Sequence, residues 1–184
     1  PSCNAGYLRE HTISKLRSIM KRYVELEFSY IEPLVEKLIQ LIDKRRDILA
    51  SLSSRLSPVK VHGDLTLSNI IVNSNGITFI DPIRHYLGPV ILSDYFKLIF
   101  DIDFGLSFMI ERNYIPIENS VNLTILNFRS ELRALICSKL FDIEPIEDIF
   151  LALEGLRVLQ YQYTNSRLCT PLLHYIQKKI HSLP

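Results

Sequence analysis

Between two short β-branched runs lies the polar segment His62-Gly63-Asp64-Leu65-Thr66-Leu67-Ser68-Asn69, and a second acid, Asp81, follows twelve residues after Asn69. A carboxylate can accept a hydroxyl proton, while a second carboxylate and a carboxamide are oxygen donors of the kind magnesium takes. One proton acceptor and two metal ligands brought to one γ-phosphate are what phosphoryl transfer requires. Any one of these residues alone is better read as a turn former or a helix cap. The argument rests on their order and spacing.

The elements that must position them can be read from periodicity. Val59-Lys60-Val61, Ile70-Ile71-Val72 and Ile77-Thr78-Phe79-Ile80 are short, β-branched and bounded by polar residues, as strands are. Asn73-Ser74-Asn75-Gly76 joins the last two, and its Asn-Gly pair predicts a tight hairpin. A loop entering this hairpin presents Asp64 and Asn69, and the returning strand brings Asp81 alongside. Ahead of Pro58, apolar residues recur at helical spacing over Tyr7 to Tyr23 and Pro33 to Leu52. After Asp81 helices are predicted near Leu92 to Phe104, Leu123 to Leu140, Pro145 to Tyr163 and Pro171 to His181. The expected fold class is α+β, mostly α-helical, with a small β segment carrying the polar loop. Three segments follow: leading helices over 1–57, loop and hairpin over 58–90, and a helical subdomain over 91–184.

The loop matches the kinase catalytic-loop pattern H-R-D-L-x-x-x-N at every fixed position except the arginine, which is Gly63 here. HGDLTLSN followed by FIDP resembles the motifs of the aminoglycoside phosphotransferase, choline kinase and fructosamine kinase superfamily, which has a protein kinase-like fold. The resemblance is strong from about Val61 to Leu98 and elsewhere is mainly a helical layout. It implies that the chain is the C-terminal catalytic lobe, with Asp64 as catalytic base and Asn69 and Asp81 as ligands of Mg2+ and its bound ATP. It also implies that His62 supports the loop and that Asp94, at a helix start, holds the loop backbone. From its position alone Asp94 is equally an ordinary N-cap. Gly63 removes the arginine that pairs with a phosphorylated activation loop, which points to a small-molecule acceptor. Asp81-Pro82-Ile83-Arg84-His85-Tyr86-Leu87-Gly88-Pro89 resembles the IDP…YG segment of fructosamine and methylthioribose kinases, implying a sugar-like acceptor; an amino alcohol is also open.

No Gly-rich phosphate loop and no VAIK-like strand lysine pairing with a helix glutamate precede Asp64, so the lobe that clamps ATP is expected to be missing, and the Pro1 start suggests an excised fragment or a processed product. The acceptor site is sought on a late helix, at Glu154, Arg157, Tyr161 and Gln162. The same four residues suit a solvated or packed helix face, which is the preferred reading.

Composition narrows the rest. Hydrophobic residues are 47% and charged residues 22%, an ordinary globular balance. With 21 Lys and Arg against 20 Asp and Glu, nothing calls for a nucleic-acid partner. Three distant cysteines, Cys3, Cys137 and Cys169, indicate neither a disulfide framework nor a zinc site. No apolar stretch reaches the ~20 residues of a membrane span, and no signal-peptide pattern is present. The expected compartment is the cytoplasm. The leading expectation is a cytoplasmic phosphotransferase moving the ATP γ-phosphate to a small-molecule hydroxyl. A non-catalytic kinase-like binding or regulatory module is the alternative, with a protein kinase fragment third.

Overall fold

The computed structural model describes residues 5–56, 59–83, 87–88, 91–112, 123–139 and 143–183. Pro58, where the strand region was expected to begin, and Cys3 lie outside them. The chain is mostly helical with small antiparallel β pairs, and it divides into two compact units. One is discontinuous in sequence, joining Pro1–Leu56 to Ile143–Pro184; the other is Ser57–Asp142.

Among its described residues the discontinuous unit holds five α-helices: α1 (Tyr7–Glu25), α2 (Glu32–Lys44), α3 (Arg46–Arg55), α7 (Glu144–Gln162) and α8 (Ser166–His181). Leu16, Val35, Leu38, Ile42, Ile149 and Leu156 are each fully buried in its core. The Tyr23 hydroxyl donates to the Leu156 carbonyl at 2.7 Å, tying α1 to α7. Burial, with Cys169 and Tyr30 nearby, pushes that phenol well above its ordinary ionisation range, so it remains a donor.

Two expectations for this unit change. The single helix predicted over Pro33 to Leu52 is two, broken at Arg45, whose φ of -103° and ψ of 20° leave the helical region. No glycine or proline marks the break. The Arg45 guanidinium instead donates to the Pro145 carbonyl at 2.8 Å, a contact 100 residues away in sequence. The last helix begins at Ser166 rather than Pro171, because the Asn165 side chain accepts the Arg167 N–H at 3.2 Å and caps it. Pro171 then lies inside the helix.

The continuous unit contains β1 (Val59–Lys60), β2 (Ile70–Asn73), β3 (Gly76–Phe79), β4 (Leu87–Gly88), α4 (Leu92–Phe104), α5 (Leu106–Arg112) and α6 (Leu123–Lys139). β1 pairs antiparallel with β4, and β2 with β3. The hairpin forms as predicted, but its loop is Ser74-Asn75, with Asn73 and Gly76 as the closing pair. Asn73 Oδ1 accepts the Asn75 N–H at 2.8 Å, so the side chain closes the turn; the positive φ, 123°, falls on Gly76. Ten residues of α4 are buried, so the helix is enclosed nearly all round. Gly105, at φ 75°, ends it in the left-handed conformation and turns the chain into α5, a helix the periodicity did not reveal. Among the described residues no helix is long and apolar enough to cross a membrane, and Cys137 and Cys169 are free thiols.

Ile42→Ala, at a position with 0% exposure, should lower unfolding free energy by about 2–5 kcal/mol. Val24→Ala, at 64% exposure, should change it by no more than about 0.5 kcal/mol. Urea denaturation followed by far-UV circular dichroism of both variants checks the placement of this core.

Candidate active site

The polar loop is built onto one face of α4. Asp94 accepts two consecutive backbone amides, His62 N–H at 2.6 Å and Gly63 N–H at 2.9 Å; the N-cap of its helix is Ile91, and Asp94 lies within the first turn. Gly63 has φ 84°, a conformation that glycine takes without the Cβ penalty any other residue meets. Glycine at position 63 is therefore a backbone requirement. One helical turn on, the Lys97 ammonium binds the Gly63 carbonyl and lies 3.6 Å from Asp64 Oδ1. Another turn on, Asp101 Oδ2 accepts the Leu67 N–H at 2.7 Å.

Asp101 also accepts the backbone N–H and hydroxyl of Ser107, at 2.7 and 2.6 Å, and the Ser107 hydroxyl in turn accepts the Ser68 N–H at 3.3 Å. Asp94, Lys97 and Asp101 thus track the loop from His62 to Ser68 in chain order. All three are at least nine-tenths buried. Buried charges persist only when paired and hydrogen-bonded, and here the loop backbone supplies the partners.

His62 joins the loop to the hairpin. Its Nδ1 accepts the Asp64 N–H at 3.3 Å, so the proton resides on Nε2, which donates to the Ile80 carbonyl at 2.7 Å. Its carbonyl accepts the Ile83 N–H at 2.9 Å, and its ring meets Phe79 edge-on. Asn69 Nδ2 donates to the Asp64 carbonyl at 2.8 Å, and the Asn69 carbonyl accepts the Ile80 N–H at 3.0 Å. Asp81 follows directly, exposed and with φ 53°, a left-handed conformation that aspartate takes more readily than most side-chain-bearing residues. The Asp64 side chain is 45% exposed, so its carboxylate is open to solvent beside Lys97.

The loop therefore brings Asp64 and Asn69 together, and the hairpin carries the Asp81 segment against His62 and Asn69. Arg84, His85, Tyr86 and Pro89, from the segment implying a sugar-like acceptor, lie outside the described residues. Glu154, Arg157, Tyr161 and Gln162 belong to the discontinuous unit, on α7. Glu154 is 3% exposed and pairs with Lys15 at 3.1 Å and Arg157 at 2.5 Å. Tyr161 is exposed, and Gln162 Oε1 accepts from Asn165 Nδ2 at 3.5 Å.

Lys97 and Asp101 were not singled out from the sequence, although a signal existed. With Asp94 they fall at i, i+3 and i+7, a charged stripe on one face of a mostly apolar helix. Among the described residues no group of three or more His, Cys, Asp or Glu is placed to hold a metal ion. Asn69 and Asp81, the expected metal ligands, stand just before and just after the hairpin. The Asn69 amide nitrogen is committed to Asp64, which leaves Oδ1 as the donor atom, and Asp81 contributes an exposed carboxylate. Carboxamide and carboxylate oxygens are donors of the kind magnesium takes, an ion that keeps several waters and takes few protein ligands.

No protein-family model, no curated protein and no solved structure matches the chain.

Asp94→Ala and Asp101→Ala each strip a charged acceptor from two backbone N–H groups, and each should cost about 2–4 kcal/mol of stability. Glu36→Ala, on an exposed face of α2, should cost under about 0.5 kcal/mol. Thermal unfolding of the three variants measures the difference.

Proposed function

We propose that the chain carries the catalytic half of a phosphotransferase that moves the γ-phosphoryl group of ATP to a hydroxyl of a small molecule. The observation that carries this reading is the half-exposed Asp64 carboxylate, held in a loop whose far end, Asn69, bonds back to Asp64 and lies against the segment bearing Asp81. Its resemblance to the aminoglycoside phosphotransferase and choline kinase motifs supplies the roles.

Asp64 orients the acceptor hydroxyl and takes its proton as the oxygen attacks phosphorus. Asn69 Oδ1 and the Asp81 carboxylate would hold magnesium, which neutralises charge on the transferring phosphates when bound. His62 reacts with nothing; both ring nitrogens are occupied in joining loop to hairpin. Gly63, in place of an arginine, favours a small acceptor over a protein, and a sugar-like or amino-alcohol hydroxyl is the class to test first.

Support for a nucleotide site comes from the hairpin. The β2–β3 register places Ile70, Val72, Ile77 and Phe79 on one face. Val72, Ile77 and Phe79 are 72, 62 and 56% exposed. Solvated apolar side chains in such number favour a cover. An adenine ring and an ATP-clamping lobe would cover this face, between strands that start after Asn69 and end before Asp81.

Full-length protein offered MgATP and a panel of hydroxylated metabolites should phosphorylate one class of them. Asp64→Asn should cut the single-turnover rate by about two to four orders of magnitude, while folding and MgATP affinity stay near wild type. Asp81→Asn should weaken magnesium dependence as well as rate. Wild-type turnover by Asp64→Asn would remove the base and with it the mechanism.

A further inference from the structure

Among the charged groups on α4, Lys97 is the one that reaches Asp64. The carboxylates of Asp94 and Asp101 are occupied by backbone N–H and hydroxyl donors. The Lys97 ammonium instead binds the Gly63 carbonyl and stands 3.6 Å from Asp64 Oδ1. The lysine side chain is only 9% exposed, whereas Asp64 is 45% exposed, so the pair has one fixed member and one open to solvent. An exposed aspartate with no fixed neighbour would sample several staggered χ1 rotamers. A buried ammonium anchored to the preceding carbonyl restricts it to the one that keeps Oδ1 near Nζ.

We propose that Lys97 is the positioning residue of Asp64: its ammonium holds Oδ1 and leaves Oδ2 turned outward as the oxygen that receives the acceptor's proton. The inference rests on the phosphotransferase reading. In the step it serves, the acceptor O–H proton passes to Asp64 Oδ2 and the acceptor oxygen bonds to the γ-phosphorus. The bond from that phosphorus to the bridging oxygen breaks, its electron pair leaving with ADP. Lys97 touches neither reactant and keeps its own protons. Its contribution is geometric, of the kind in which an ångström of misplacement is felt in kcat.

The test uses full-length protein with MgATP as probe and water as acceptor, so no metabolite need be known. Lys97→Gln keeps a donor for the Gly63 carbonyl but removes the charge, and Lys97→Arg restores it. The expected result is an about 10- to 100-fold fall in kcat for Lys97→Gln, with KM for MgATP within about twofold of wild type. Lys97→Arg should recover most of the loss. The three-bond coupling between backbone nitrogen and Cγ of Asp64, which reads χ1, should report one rotamer in wild type and an average in Lys97→Gln. Wild-type kcat in Lys97→Gln would overturn the proposal, as would a loss that tracks thermal unfolding and is not rescued by arginine. If wild type transfers no phosphate, to water or to any metabolite, the phosphotransferase reading fails. The coupling then decides on positioning alone: averaging in Lys97→Gln sustains it and an unchanged value refutes it.

Discussion

A single buried carboxylate, Asp94, holds two consecutive backbone amides of the loop, and the rest of the site is built outward from that bond pair. Two successive N–H groups can face one anion only if the backbone curls around it. The positive φ of Gly63 provides the curl. The same curl turns the Gly63 carbonyl to Lys97 and sends Asp64 outward, while His62 is set to reach Ile80. Any side chain at position 63 would meet the left-handed penalty of about 1–2 kcal/mol.

α4 is unusual in burying three charges on a mostly apolar helix, and the loop is the reason they are tolerated. Asp94, Lys97 and Asp101 would each be costly if unpaired, since a buried charge without partners loses its hydration and gains nothing. The loop in turn has little regular structure to satisfy its own N–H and C=O groups and takes those bonds from the helix. Each element supplies what the other lacks, so they are expected to order together. The result is a hydrogen-bonded loop with two carboxylates, Asp64 and Asp81, left open to solvent. Support of this kind under exposed carboxylates is what positioning would require in the proposed transfer.

The hairpin shows the opposite balance. Its register is well defined, yet its side chains are mostly exposed, and the face bearing Val72, Ile77 and Phe79 offers apolar surface to whatever covers it. Such a face contributes little to the stability of the unit that carries it. Its value to the site lies in delivering Ile80 and Asp81 to the loop, through bonds from Ile80 to His62 and Asn69.

Much of this was legible in the sequence, because it is local. Apolar spacing marked α1, α4, α6 and α7 to within about two residues. The hairpin was signalled by a cluster of Asn, Ser and Gly, and His62, Asp64, Asn69 and Asp81 by their spacing. What periodicity could not reveal depended on partners distant along the chain. The break at Arg45 is accompanied by a bond to Pro145, and the start of α8 turns on a capping asparagine ahead of an interior proline. The pairing of β1 with β4 joins two-residue segments too short to carry a pattern. Lys97 and Asp101 stand in the sequence as ordinary charges within a helix, with their i, i+3, i+7 spacing the one trace of a shared face. Only the tertiary structure, by burying that face against a loop some thirty residues earlier, gives each charge its partner and so its role.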